Sequence, residues 1–262
     1  MAFAAILIIL ACVLLIYIIL PIAGVFFRVD IYNVAQSFSR PQLISALGLS
    51  IQTATIATFL AALTGVPLAY ILARGSSRLS DIIRVLVALP LVFPPLIAGA
   101  ALLNIYGLTS PIGQLARELG IQLTQSPIGI VLAQLFVSSP FVVLSAAAAF
   151  ERIDKYYEYV SRTLGKSPGE TFIRVTLPLA WRGIATGLIL AWIRAMGEFG
   201  ATVMMAYNPK TVSIQLWEDN AVGGLSMALP GVVVVILTIL ILLAAWAWIS
   251  LGRQRESGSP LY

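Results

Sequence analysis

The chain has 262 residues, 60% of them hydrophobic and 10% charged, with a formal net charge of +5. A soluble domain carries about 25% charged residues, so too little polar surface is present here to solvate a globule of this size. One cysteine excludes a disulfide scaffold, and the lack of histidine excludes serine–histidine catalysis, HExxH zinc sites and imidazole pH sensing.

These exclusions leave an all-α integral membrane protein. In hydrocarbon every backbone amide is satisfied within its own segment, so a span takes about 20 mostly apolar residues in a helix. Six transmembrane helices are expected, over about 3–27, 43–73, 85–106, 128–150, 184–207 and 229–251, within a single transmembrane domain covering 1–262. Alternating, turn-punctuated strands of the kind a β-barrel needs are not found in the sequence.

The first span lacks a positive leader, and its apolar run is about twice that of a signal-peptide core, so it reads as retained, with Cys12 a buried and inert thiol. The second is longer than one bilayer and contains Gly65-Val66-Pro67, where a bend or tilt is expected. Its Ser50, Gln52, Thr53, Thr55 and Thr58 are expected to bond across helices or back to their own backbone. The third carries Pro90, Pro94 and Pro95, which remove three donors; this predicts either a kink satisfied by neighbouring helices or a gate.

The only extended polar stretch, 151–183, reads as two short helices. The first, about 154–164, presents Tyr156, Tyr159, Val160 and Thr163 at helical spacing with charges on its other side, and Gly165 supplies the stop. The second opens on Ser167-Pro168-Gly169-Glu170, a capping box with Pro at the first helical position. It is expected to end near Thr176, because Pro178 disfavours the helical region for Leu177. A helix of about ten residues is marginal alone in water, so Phe172, Ile173 and Val175 need something to pack against. That is either the chain's own helix ends or a partner docking on this loop. Gly165-Lys166-Ser167 imitates the tail of a nucleotide-binding loop, but Val160 stands where that loop needs glycine, and the preceding strand is missing.

The fifth span contains Arg194, Gly197, Glu198 and Gly200. A lone charge at mid-bilayer costs about 2.5–3.5 kcal/mol on insertion scales, so such residues face a partner or a wet cavity. Arg194 and Glu198, four apart, are expected to pair on one helix face, while Gly197 and Gly200 leave room for close helix approach. The pair either staples the bundle or lines the path of an anion, since the planar fork of arginine suits a tetrahedral oxyanion.

Orientation follows from the basic residues. Arg74, Arg78, Arg84, Arg152, Lys155, Arg162, Lys166, Arg174, Arg182, Arg253 and Arg255 fall on one side of the membrane, against Arg28, Arg40, Arg117 and Lys210 on the other. The richer side is expected to be cytoplasmic, with both termini there. No basic residues cluster on a water-soluble module, so nucleic acid is not an expected partner.

Gly165, nine intervening residues and Val175-x-Leu177-Pro178 resemble the EAA-x3-G-x9-I-x-L-P loop of ABC-importer permeases. The E-A-A positions are occupied by Tyr159, Val160 and Ser161, with Glu158 one place early. Gly65-Val66-Pro67-Leu68-Ala69-Tyr70 followed by Leu72-Ala73-Arg74 is similar to the second-span signature of the same permeases. Leu89-Pro90 through Pro95 to Gly99, with Gly197-Glu198-Phe199-Gly200-Ala201, is similar to the molybdate, tungstate and sulfate branch.

The resemblance implies a type I importer permease in the cell membrane that works by alternating access on molybdate or tungstate, with sulfate, thiosulfate or another small anion as alternative cargo. It implies an extracytoplasmic binding protein, a second copy of the chain, and two ATPase subunits on which ATP and Mg act, so that the chain is not itself an enzyme and binds no cofactor or metal directly. It assigns ATPase coupling to Gly165, Ser167, Pro168, Glu170, Phe172, Ile173, Arg174, Val175, Leu177 and Pro178. The path or gate falls to Arg194, Glu198, Gly197, Gly200, Pro90, Pro94 and Pro95. An ion-coupled secondary transporter would want carboxylates in several spans, yet Glu198 is the only acidic residue well inside one. An intramembrane enzyme would lack both histidine and intramembrane aspartates.

Overall fold

A computed structural model describes residues 2–75 and 77–256, with side chains over 3–75 and 77–245; Arg253 and Arg255, used above for orientation, lie outside those side chains. All regular structure among the described residues is helical: α1 Ala2–Arg28, α2 Ile31–Ser37, α3 Pro41–Arg74, α4 Arg78–Val92, α5 Pro95–Tyr106, α6 Pro111–Glu118, α7 Pro127–Glu151, α8 Lys155–Thr163, α9 Pro168–Thr171, a π-helical turn Phe172–Thr176, α10 Leu177–Met196, α11 Gly200–Met205 and α12 Val212–Glu256. Five helices are long and apolar enough to span a bilayer, and the bent pair α4 and α5 makes a sixth.

As expected, the second span is longer than one bilayer: α3 runs through Pro67 for 34 residues, about 51 Å at 1.5 Å per residue. Three expectations about these elements change. The fifth span is not continuous, because α10 stops at Met196 and α11 restarts at Gly200. The last begins earlier, as α12 starts at Val212 and kinks at Gly224. With φ of +66°, that kink sits in the left-handed region that glycine enters without a Cβ penalty. Cys12 is exposed rather than buried, since α1 presents an apolar surface on every side and none of its apolar window is covered by the described chain.

The chain divides into two compact units, one within Gly48–Ile214 and one made of the flanking segments up to Leu47 and from Gln215. In the flanking unit, Arg40 Nη2 donates to both carboxylate oxygens of Asp219 at 2.8 Å, and Gln215 donates to the same group at 2.9 Å. Gly231 lets α12 approach Leu216 and Leu43; a Cβ there would lie 2.7 Å from Leu216 Cδ2.

The central unit is held by small residues, which allow helix backbones to approach where lipid supplies no hydrophobic drive. Gly65 of α3 faces Val142 and Val143 of α7, and Gly187 of α10 sits where a Cβ would be 2.7 Å from Ser145 Cβ. The main core joins Ala61, Ala69 and Leu72 to Val142, Ala146, Phe150, Ala180 and Ile184. A second core joins Ala98 and Leu102 of α5, Ala133 and Val137 of α7, and Ala201 and Met205 of α11. Three polar residues of α3 bond as expected, whereas the buried Thr58 Oγ1 has no partner among the described residues. Ser50 accepts the Val212 N–H at 2.9 Å, Thr53 bonds back to Leu49 O, and Thr55 bonds to Ile51 O while accepting Trp192 Nε1.

Candidate functional site

Two places in the central unit carry chemistry, and they lie at the two ends of α10. The first is the turn region from α8 to the start of α10. Asp154 caps α8 by accepting the Tyr156 N–H at 2.9 Å. At the other end Gly165, with φ of +86°, closes the helix as a Schellman turn: its N–H reaches Arg162 O at 3.0 Å and Lys166 N–H reaches Ser161 O at 3.3 Å. The expected capping box is complete, Glu170 N–H to Ser167 Oγ at 3.3 Å and Ser167 N–H to Glu170 Oε2 at 3.1 Å. That backbone bond holds the Glu170 carboxyl below the usual carboxylate range, helped by Ser167 Oγ and Lys166.

The expected stop at Pro178 does not occur. The helix widens into the π turn, whose closing bond runs from Leu177 N–H to Phe172 O, and continues as α10 with Pro178 in its first turn. A π turn removes the register in which the proline ring meets the carbonyl four residues back.

The faces of this region are also distributed differently from the simple pattern. Phe172 turns inward, its ring centroid 4.8 Å from Tyr70 and 6.0 Å from Phe150. Val175 and Leu177 are half-buried, and Thr171 and Thr176 are buried. Ile173 is 63% exposed and Leu164 77%, with Arg174 exposed beside them. The apolar stripe of α8, Tyr156, Tyr159 and Val160, faces outward, whereas Glu158 and Ser161 face the chain.

Inside, Arg74 at the end of α3 donates Nη2 and Nε to Glu158 Oε1 at 2.7 and 3.0 Å, and Nη1 to Phe150 O at 2.9 Å. Thr176 Oγ1 donates to the same oxygen at 3.0 Å, and Tyr70 OH to Glu158 Oε2 at 3.3 Å. Ser161 and Thr171 hydroxyls meet at 3.0 Å. Sequence reasoning did not find this cluster. Its signal was an acidic residue one place early in the loop motif and an arginine ending the second-span signature.

The second place is where two spans break. Pro94 separates α4 from α5 at a bend of 113°, with Pro90 inside α4 and Pro95 opening α5. Gly197, Glu198 and Phe199 separate α10 from α11. The two breaks touch: a Cβ on Gly200 would lie 2.5 Å from Pro95 Cβ, and one on Gly99 2.9 Å from Ala201 Cα. Broken backbone at membrane depth persists only inside protein or along a cavity.

Glu198 is 1% exposed; its Oε1 caps α11 by accepting the Ala201 N–H at 2.7 Å, and its Oε2 pairs with Arg194 Nη1. The pair expected on one continuous helix face therefore bridges a helix end instead. The Arg194 side chain is 31% exposed and has no other partner among the described residues, which leaves donors of its fork open. Nearby, Gln134 Nε2 donates to Ala195 O at 3.1 Å, while Gln134 Oε1, Ser138 Oγ and Thr202 Oγ1 are buried with no hydrogen-bond partner among the described residues. No cluster of three or more potential metal ligands occurs among the described residues.

Comparison with known proteins agrees with this layout. The family model described as binding-protein-dependent transport system inner membrane component matches residues 65–251. The chain is 42% identical to a probable molybdenum ABC transporter permease protein of Haloferax volcanii, over 87% of this chain and 83% of that one. It is 35% identical to a molybdate/tungstate transport system permease protein of Pyrococcus furiosus, over 91% of each. Among solved structures, a bacterial alginate ABC transporter in complex with a pentasaccharide-bound periplasmic protein is similar at a TM-score of 0.67 and 15% identity, covering 90% of this chain and 91% of that one. The methionine ABC transporter in an inward-facing form is similar at 0.62 and 16%, covering 81% and 95%. With six apolar spans, two touching helix breaks and a folded loop between its fourth and fifth spans, the chain belongs to the family of inner membrane components of binding-protein-dependent ABC transport systems.

Proposed function

We propose that the chain is the permease subunit of an ATP-driven importer of molybdate or tungstate in the cell membrane. Two copies form the path around a shared axis, and both termini face the cytoplasm with the α8–α9 turn. An extracytoplasmic binding protein delivers the oxyanion to the opposite side. ATP and Mg act on a separate ATPase, two copies of which each receive one turn; this chain supplies no nucleotide site and no cofactor.

One observation carries the mechanical half of the reading: around Gly165 the chain anchors Phe172 inside its own aromatic cluster and leaves Tyr156, Tyr159, Leu164 and Ile173 uncovered. An apolar patch on a polar loop is what a docking partner covers. The docking set is thus Ile173 and Arg174 with the outer stripe of α8. Gly165, Ser167, Pro168 and Glu170 shape the turn, while Phe172, Val175, Leu177 and Pro178 fasten it to α10.

The cargo half rests on the relatives and on Arg194. A guanidinium with open donors beside a helix break attracts a doubly charged oxyanion, and Glu198 keeps the charge affordable at depth when no ion is present. Closing the ATPase pair moves the turns, and the touching breaks at Pro94–Pro95 and Gly197–Gly200 form the gate that opens and shuts. The test is reconstitution in proteoliposomes with the ATPase and the binding protein. ATP-dependent molybdate or tungstate uptake that survives collapse of the proton gradient is expected. Uptake that follows the gradient instead, or sulfate in preference to both, would overturn the corresponding half.

A further inference from the structure

We infer that Arg74 and Glu158 form a rigid joint that couples the docking turn to the α3 span, acting as positioning residues for transport. The inference rests on the docking reading above and adds the route by which motion leaves the turn.

The geometry is that of a junction bonded on several sides. All three guanidinium nitrogens of Arg74 are used, two on Glu158 Oε1 and one on the Phe150 carbonyl that ends α7. Glu158 in turn accepts from Thr176 in the π turn and from Tyr70 of α3. The carboxylate of α8 thus ties α3 to the π turn, and the Arg74 guanidinium adds the end of α7. Both side chains are mostly buried, 14% and 13% exposed. A buried pair stripped of a partner costs stability, and one bonded to several elements favours a single arrangement. The rings of Tyr70, Phe150 and Phe172 pack beside the pair, Tyr70 and Phe150 at 5.4 Å. A push on Ile173 then has no soft element in which to dissipate before it reaches α3 and α7.

Two measurements test this on the complete complex. First, in a Cys12→Ser background, spin labels at Lys155→Cys and Ile71→Cys report the separation of α8 from α3. It is expected to stay within about 2 Å between nucleotide-free and ATP-bound states, and a larger change overturns the joint. Second, Glu158→Gln is expected to keep ATP hydrolysis but reduce its stimulation by loaded binding protein about tenfold or more. The exchange Arg74→Glu with Glu158→Arg restores part of it. A Glu158→Gln complex that assembles and is stimulated like the parent overturns the inference, since a merely structural role would change yield and leave the stimulation ratio alone. Should Glu158→Gln fail to assemble, Thr176→Val, which removes one donor, decides in the same way: a lowered ratio supports the joint and an unchanged ratio overturns it. Failure of the parent chain itself to bind the ATPase removes the docking reading, and this inference with it.

Discussion

Two of the Arg–Glu pairs of the central unit, Arg74–Glu158 and Arg194–Glu198, share their chemistry and differ in their surroundings. Arg74 and Glu158 tie together four elements of the chain, whereas Arg194 has one partner among the described residues, is 31% exposed, and stands one turn before a helix break. A pair bonded to several elements is a structural fixture. A pair with open donors is placed to exchange partners. Under the proposed function the first pair transmits force and the second meets cargo.

The prolines show the same division. Pro178 lies in a helix that runs on, because a π turn makes room for it, and Pro67 and Pro140 also sit inside unbroken helices. Pro94 and Pro95 break theirs, with Gly200 packed against Pro95 so closely that a Cβ would not fit.

The largest expected effect comes from attacking the fastened side of the turn. Phe172→Asp places a charge against Tyr70 and Phe150 and is expected to cost about 3–5 kcal/mol, comparable to removing a buried aromatic, before desolvation is counted. Thermal melts of the purified chain should fall sharply and little complex should form. Next is Arg194→Gln, which removes the open fork. Uptake should drop about tenfold to a hundredfold, the range for a charge-assisted hydrogen bond, in complexes that still assemble, with a lower melting temperature because Glu198 loses its partner. Unchanged uptake would remove Arg194 from the path and return its pair to the structural class.

Gly200→Ala sharpens the comparison at the gate. The added methyl meets Pro95 at 2.5 Å and forces the breaks apart. Transport should fall while ATPase binding persists, as measured by uptake beside co-purification. The smallest effect is expected for Gly165→Ala, where φ of +86° costs a side chain about 1–2 kcal/mol locally. Coupling should weaken by a few-fold with the cargo path intact.

Much of this was legible in the sequence. The apolar runs gave the spans, Ser167 and Glu170 gave both halves of the capping box, Gly165 gave the stop, and the spacing of Arg194 and Glu198 gave their contact. What was not legible depends on distant partners. Helical spacing marked a stripe on α8 and an apolar trio after Glu170, but which side met the core was decided by Arg74 and Tyr70, reaching in from α3. The break at Gly197–Phe199 was hidden because Glu198 caps the following helix as well as pairing with Arg194, and a four-residue spacing looks the same either way.

The claim on which the rest depends is that the uncovered face of the turn is where the ATPase holds this chain. Ile173→Asp tests it directly, since that side chain is 63% exposed and touches neither pair described above. The account predicts that the variant melts like the parent yet no longer retains the ATPase on co-purification. Equal retention by parent and variant would contradict it.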